Sequence, residues 1–89
     1  MGAIARTITK KLETALSPSR LELRDESARH AGHAHGGGVE THFDLTLESV
    51  AFAGLSRLAR QRLVMALLAD ELAGPVHALS IRARAPGED

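Results

Sequence analysis

The spacing of apolar residues changes period along the chain. Ile4, Ile8, Leu12 and Ala15 recur at helical spacing with Arg6, Lys10 and Glu13 opposite, which predicts an amphipathic helix over residues 3–16. Ser17 and Pro18 stop it. From Arg20 to Glu26 the pattern switches to alternation, with Leu21 and Leu23 on one side and Glu22 and Arg24 on the other, as in a half-buried strand. Thr41 to Glu48 repeats it, placing Phe43, Leu45 and Leu47 inward and His42, Asp44, Thr46 and Glu48 outward. One face of the resulting sheet is therefore solvated.

Phe52, Gly54 and Ser56 read as a turn and an N-cap, after which Arg57 to Ala73 is helical, as a short helix and a longer one. Val64, Met65, Leu68 and Leu72 are expected to share a face with Gln61 among them, and Leu63 and Leu67 to form a second stripe on roughly the opposite side. Gly74 and Pro75 end the helical segment. Val76 to Arg84 is a third strand in which His77, Leu79, Ile81 and Ala83 share a face, so parity assigns His77 to the core side at the strand's first residue.

The element order is α-β-β-α-α-β. The hairpin makes the first two strands antiparallel, and a right-handed helical crossover returns the third parallel to the second. The expected fold is α+β, a mixed three-stranded sheet with its helices on one face. It fills one domain over residues 1–86, with residues 87–89 as a polar tail. In this topology the start of the third strand and the loop between the first two lie at the same end of the sheet.

That loop gives the chain its chemistry. Asp25 to Phe43 carries four of the five histidines and four of the eight glycines. Histidine is the commonest protein metal ligand and titrates near neutrality, so such a run is a metal site or a pH-sensitive loop. Gly36, Gly37 and Gly38 free its backbone. There is no Cys, which excludes disulfides, thiolate nucleophiles and zinc-thiolate sites, and leaves imidazole, carboxylate or a partner's groups as ligands. Nitrogen ligands suit iron, zinc and copper alike, so the residues alone do not select among them.

The net charge is zero, from 11 basic and 11 acidic residues, so any pull on nucleic acid must come from a local patch. With Phe43 and Phe52 as the only aromatics, base-stacking platforms are missing. No apolar run approaches a membrane span and the N-terminus lacks a signal-peptide core. A cytoplasmic protein without membrane association is expected.

Four stretches agree in order and spacing with a known family: DES before the histidine loop, ETHF, FAGLSRLARQRLV, and PVHALSI. Together they resemble the BolA family, in the subtype with His rather than Cys in the loop, whose fold is similar to a class II KH domain. The resemblance implies partnership with a monothiol glutaredoxin and a shared bridging 2Fe-2S cluster, serving iron-sulfur assembly, trafficking or iron sensing. The glutaredoxin's cysteine and a bound glutathione supply two thiolates. This chain supplies two imidazoles, His77 of PVHAL and His30 of the loop, with His33 and His35 as substitutes for His30. Such mixed ligation is that of Rieske-type centres, with a raised potential and sensitivity to protonation. His42, on the solvated face, is expected to be structural or to support the ligands. The Arg-His-Arg usual in the family's long helix reads Arg60-Gln61-Arg62 here, so no role of that His carries over.

The alternative is a DNA-binding transcriptional regulator, in which Arg57, Arg60, Arg62, Arg82 and Arg84 form a basic patch on duplex DNA beside the helix-turn-helix segment. Against it, Arg57 stands where a KH-type GxxG loop needs its second glycine. An enzyme is not expected, since no nucleophile stands beside a base. The residues leave the free chain's oligomeric state open, including a weak homodimer.

Overall fold

The computed structural model describes residues 2–26 and 41–88. Helix α1 spans Ala3–Leu16, strand β1 Arg20–Asp25, strand β2 His42–Glu48, helix α2 Arg57–Leu67, helix α3 Ala69–Ala73 and strand β3 Ala78–Arg84, with a 3-10 turn at Val50–Phe52 before α2. The sheet order is β1-β2-β3, antiparallel then parallel, as the connection rules predict. No helix among the described residues is long and apolar enough to cross a membrane.

On α1, Ala5, Ile8, Leu12 and Leu16 are buried; Ala15, expected inside, is exposed. Ser17 ends the helix in the left-handed conformation, its N–H bonded to the Glu13 carbonyl. Along β2 the alternation is strict: Phe43, Leu45 and Leu47 are buried and the residues between them are half-exposed. Phe52, Val64, Leu68 and Val76 complete the core. Ser49, fully buried, joins three elements. Its hydroxyl donates to the Leu16 carbonyl (2.6 Å) and accepts from the Ala51 N–H, and its own N–H bonds the Arg84 carbonyl. A buried hydroxyl so satisfied fixes where the end of α1 meets the end of the sheet.

The second helical segment differs from its predicted pattern. The longer piece comes first and the helix breaks at Leu68, and Ser56 caps α2 by accepting from the Ala59 N–H. Val64 and Leu68 are buried, Leu63, Leu67 and Leu72 are partly buried, and Met65 is exposed. The core thus meets one broad stripe centred between the two expected ones. The helix packs against both β3 and α1, so residues on both flanks of Val64 find apolar neighbours.

Two ion pairs pin the helices. Lys11 Nζ reaches both carboxylate oxygens of Glu71, at 3.0 and 2.9 Å, and Asp70 at 3.6 Å. Glu71 is buried, so the pair holds α3 on α1 and supplies the counter-charge that burial requires. The Glu71 hydrogen bond is also the main reason the Lys11 ammonium is held above its usual range. Arg60 clamps Glu88 with two bonds of 2.6 and 2.7 Å, and also donates to the Leu55 and Ala83 carbonyls. Glu88 also accepts from the Ala85 N–H. These bonds, Arg60 first, bring the Glu88 carboxyl down to about 2 from 4.5. Glu88, in the segment expected to be a polar tail, therefore ties the chain end to α2.

Lys11→Met leaves Glu71 buried without a counter-ion and should lower the Tm by several degrees. Arg20→Met, which removes a half-exposed pair with Glu22, should leave it nearly unchanged; equal falls in the two variants would show that Glu71 is not the sensitive group. Because Glu88 has a depressed pKa in the fold, its contribution is complete above about pH 4.5 and is lost as pH falls toward about 2. Glu88→Gln should accordingly lose less stability across that window than the wild type does, as read by denaturant titrations at successive pH values.

Candidate metal centre

The end of the sheet where β2 and β3 begin is built on Thr41. Its carbonyl accepts two consecutive N–H groups, His77 at 2.8 Å and Ala78 at 3.2 Å. Ala78 then enters the parallel ladder opposite His42. Across the sheet, the Glu26 N–H bonds the His42 carbonyl at 2.8 Å, closing the base of the histidine loop. Both described ends of that loop, Glu26 and Thr41, therefore stand at the rim that carries His77.

The doubled bond to one carbonyl interrupts the alternation, and this corrects the parity assignment of His77. Val76 takes the buried position and His77 is exposed, because the strand proper begins one residue later, at Ala78. Beyond it, Leu79, Ile81 and Ala83 are partly buried while Ala78, Ser80, Arg82 and Arg84 are exposed. The imidazole is thus open to solvent while its backbone is fixed.

A second imidazole stands beside it. The His42 and His77 rings are stacked with centroids 6.4 Å apart and planes inclined by 28°. Thr41 Oγ1 lies 2.8 Å from His42 Nδ1, a hydrogen bond that orients the ring and that either partner can donate. Sequence reasoning placed His42 on the solvated face but not next to His77. The usable signal was the parallel register, which pairs His42 with the residue after His77. His30, His33 and His35 lie outside the described residues. Among the described residues there is no group of three or more His, Asp and Glu side chains able to hold a metal; the rim presents two neighbouring imidazoles, His42 and His77.

The five arginines of the alternative reading do not form one free patch. Arg60 is engaged by Glu88 and by two carbonyls, and Arg84 contacts Glu48 at 3.4 Å. Arg57 and Arg82 line a cavity of about 490 Å³ between the start of α2 and the second half of β3, which the engaged Arg60 and Arg84 and the Glu88 carboxylate also border. Gln61, expected within an apolar stripe, is half-exposed at this cavity.

Comparison with known proteins gives the fold and site a context. The family model described as BolA-like protein matches residues 12–88. The chain is 54% identical over 88 residues to BolA-like protein 1 of Homo sapiens, which covers 99% of this chain and 62% of that protein. It is 46% identical over 93 residues to SufE-like protein 1, chloroplastic/mitochondrial, of Arabidopsis thaliana, covering 99% of this chain and 25% of that protein. The chain thus spans about three-fifths of the length of the BolA-like protein 1 sequences it matches. Among solved structures, the BolA domain of SufE1 from Arabidopsis thaliana superposes with a TM-score of 0.88 at 46% identity, covering 100% of this chain and 99% of that one. The solution structure of BolA1 from Mus musculus gives 0.81 at 52% identity, covering 97% and 68%. Over most of its length, in sequence and in fold, the chain belongs to the BolA-like protein family.

Proposed function

We propose that this chain is the imidazole-donating half of a bridging two-iron, two-sulfur cluster. A monothiol glutaredoxin and its bound glutathione supply the thiolates, and the complex serves iron-sulfur assembly, trafficking or iron sensing. The observation that carries this reading is the exposed His77 ring, pinned through its backbone to the residue at which the histidine loop rejoins the sheet. His77 is the first ligand. His30 is the second, with His33 and His35 able to replace it.

The donor chemistry fits. A chain without Cys brings imidazole nitrogens but no thiolate to a cluster and needs thiolates from outside, which is a reason to work as a heterodimer. Reach also fits. His30 follows Glu26 by four residues, a tether of up to about 14 Å, whereas β1 and β3 stand roughly 10 Å apart across β2. When bound, the cluster supplies visible charge-transfer absorption and one-electron chemistry, at a potential raised by the nitrogen ligands. What the protein contributes is orientation. The Thr41 carbonyl fixes the His77 backbone, and the Thr41 hydroxyl holds the neighbouring His42 ring.

The duplex-DNA reading has less support. Neutralising several phosphates takes several free cations on one surface, whereas Arg60 and Arg84 already contact carboxylates, leaving Arg57, Arg62 and Arg82 to carry it.

Reconstitution of the protein with a monothiol glutaredoxin, glutathione, iron and sulfide tests the proposal by visible absorption and circular dichroism. His77→Ala should abolish the heterodimer's spectrum. His30→Ala should perturb it, leaving partial intensity where His33 or His35 substitutes. His42→Ala should preserve the bands with altered dichroism. Unchanged spectra in both the His77 and His30 variants would remove the ligand assignment, and loss of the bands in His42→Ala would move the second ligand from the loop to β2.

A further inference from the structure

The sheet order leaves β1 on the outside. The Glu26 N–H bonds the His42 carbonyl directly opposite it. In an antiparallel ladder this makes Arg20, Glu22 and Arg24 turn their N–H and C=O groups toward β2, while those of Leu21 and Leu23 point away from the sheet. No strand among the described residues pairs with that outer edge. The Leu21 and Leu23 side chains lie on the helix side, partly buried against the core. On the solvated face β1 carries an exposed row of alternating charge, Arg20, Glu22 and Arg24. Arg20 is paired with Glu22 at 2.8 Å. Arg24 makes no ion pair among the described residues, although Asp44 stands opposite it in the register.

We infer that β1 is an edge for a second copy of this chain: two copies pair antiparallel along it, about a twofold axis through Leu23, and join their sheets into one. Outward groups meet outward groups only when the axis passes through a residue and not between two. Charge then chooses the residue. Centring on Glu22, Arg24 or Asp25 sets that charge against itself, and like charges directly opposite destabilise a strand pair. Centring on Leu21 brings Pro18 into the pairing and calls on the Ser19 N–H, which the Glu48 carbonyl already holds. Centring on Leu23 sets Glu22 against Arg24 of the second copy, twice by symmetry, at the non-hydrogen-bonded positions where opposed side chains come closest. It also sets Leu23 against Leu23 of the second copy on the helix side.

The occupant follows from this match. A twofold contact needs a patch complementary to itself, and the row of β1 is so in one register, which supplies Arg24 with the carboxylate it lacks within its own chain. A row of both signs offers no strong field to a nucleic acid or to a highly charged partner. The contact is small, one strand edge from each copy, so a weak dimer is expected, with a Kd of about 0.1–1 mM. In the joined sheet β3 is the outermost strand of each copy, and His77 stays clear of the contact. The inference does not rest on the cluster reading.

Charged side chains also protect strand edges against pairing in general. If the charges of β1 served only that purpose, the chain would stay monomeric whichever of them were reversed, and mixing two reversed chains would change nothing. A matched register makes the opposite demand. Arg24→Glu sets Glu against Glu and Glu22→Arg sets Arg against Arg, so each variant is refused by its own copy. Together they restore both oppositely charged pairs, one at each side of Leu23.

The test follows the isotope-labelled full chain by sedimentation equilibrium and amide resonances up to about 2 mM, above the expected Kd. The Leu21 and Leu23 amides should shift with concentration and exchange more slowly as the dimer fills. Arg24→Glu and Glu22→Arg, both at exposed positions that leave the core untouched, should each weaken self-association at least about tenfold, and an equimolar mixture of the two should recover it. Added salt should weaken the wild-type dimer. Several outcomes would overturn the inference: a monomer throughout the range, concentration-dependent shifts confined to surfaces away from β1, dimerisation of Arg24→Glu as strong as that of the wild type, or a mixture that associates no better than its components. A neutral probe peptide alternating Val with Thr that shifts the Leu21 and Leu23 amides at lower concentration than the second copy does would mark a general strand acceptor and overturn it as well.

Discussion

The carbonyl of Thr41 fixes the register of the last strand and with it the place of His77. By accepting from His77 and Ala78 together it determines where the last strand begins. The parallel ladder then carries that choice to Arg84, whose carbonyl meets the Ser49 N–H at the other end. A slip of one residue would exchange the two faces of β3, sending Arg82 and Arg84 toward the apolar layer and Leu79 and Ile81 into water. The cost of burying two guanidinium groups makes such a slip prohibitive. The same register sets His77 beside His42.

Much of this could be read from the residues because the periods were clear. Strict alternation through Phe43, Leu45 and Leu47 dictated which face of β2 is buried, and the hairpin followed by a helical crossover dictated the mixed sheet. The failures occurred where one residue more or less decides a face. At His77, alternation was projected back through a strand entrance at which two N–H groups share a carbonyl, and an irregularity of that kind leaves no mark on hydrophobic spacing. At Met65, the helical wheel was read as two stripes, whereas contact with both the sheet and α1 broadens a single stripe around Val64.

The candidate site was legible in part for a related reason. Residue type and topology pointed to His77 and to the end of the sheet it occupies. The neighbouring His42 was missed because it was assigned by its face within β2 and not by its register against β3. The ion pairs could not be read at all. Lys11 and Glu71 are 60 residues apart, and Arg60 and Glu88 are 28 apart. Nothing in composition separates these carboxylates from ordinary solvated ones, so only the packing of α3 on α1 and the turn after β3 bring each pair together.

The zero net charge takes on a different meaning once those pairs are located. Overall neutrality argued against a nucleic-acid role, yet the balance is local. Glu71 neutralises Lys11 within the helical layer, Glu88 neutralises Arg60 at the chain end, and Glu48 meets Arg84 on the solvated face. Charges spent in this way hold elements in place and are withdrawn from recognition. What remains exposed is then set by position and not by count: the His77 imidazole at the start of β3, and Arg57 with Arg82 nearer its end. One register ties the start of β3 to its end, so a substitution that keeps the Thr41 and Ser49 contacts can change the side chains at one end without shifting those at the other.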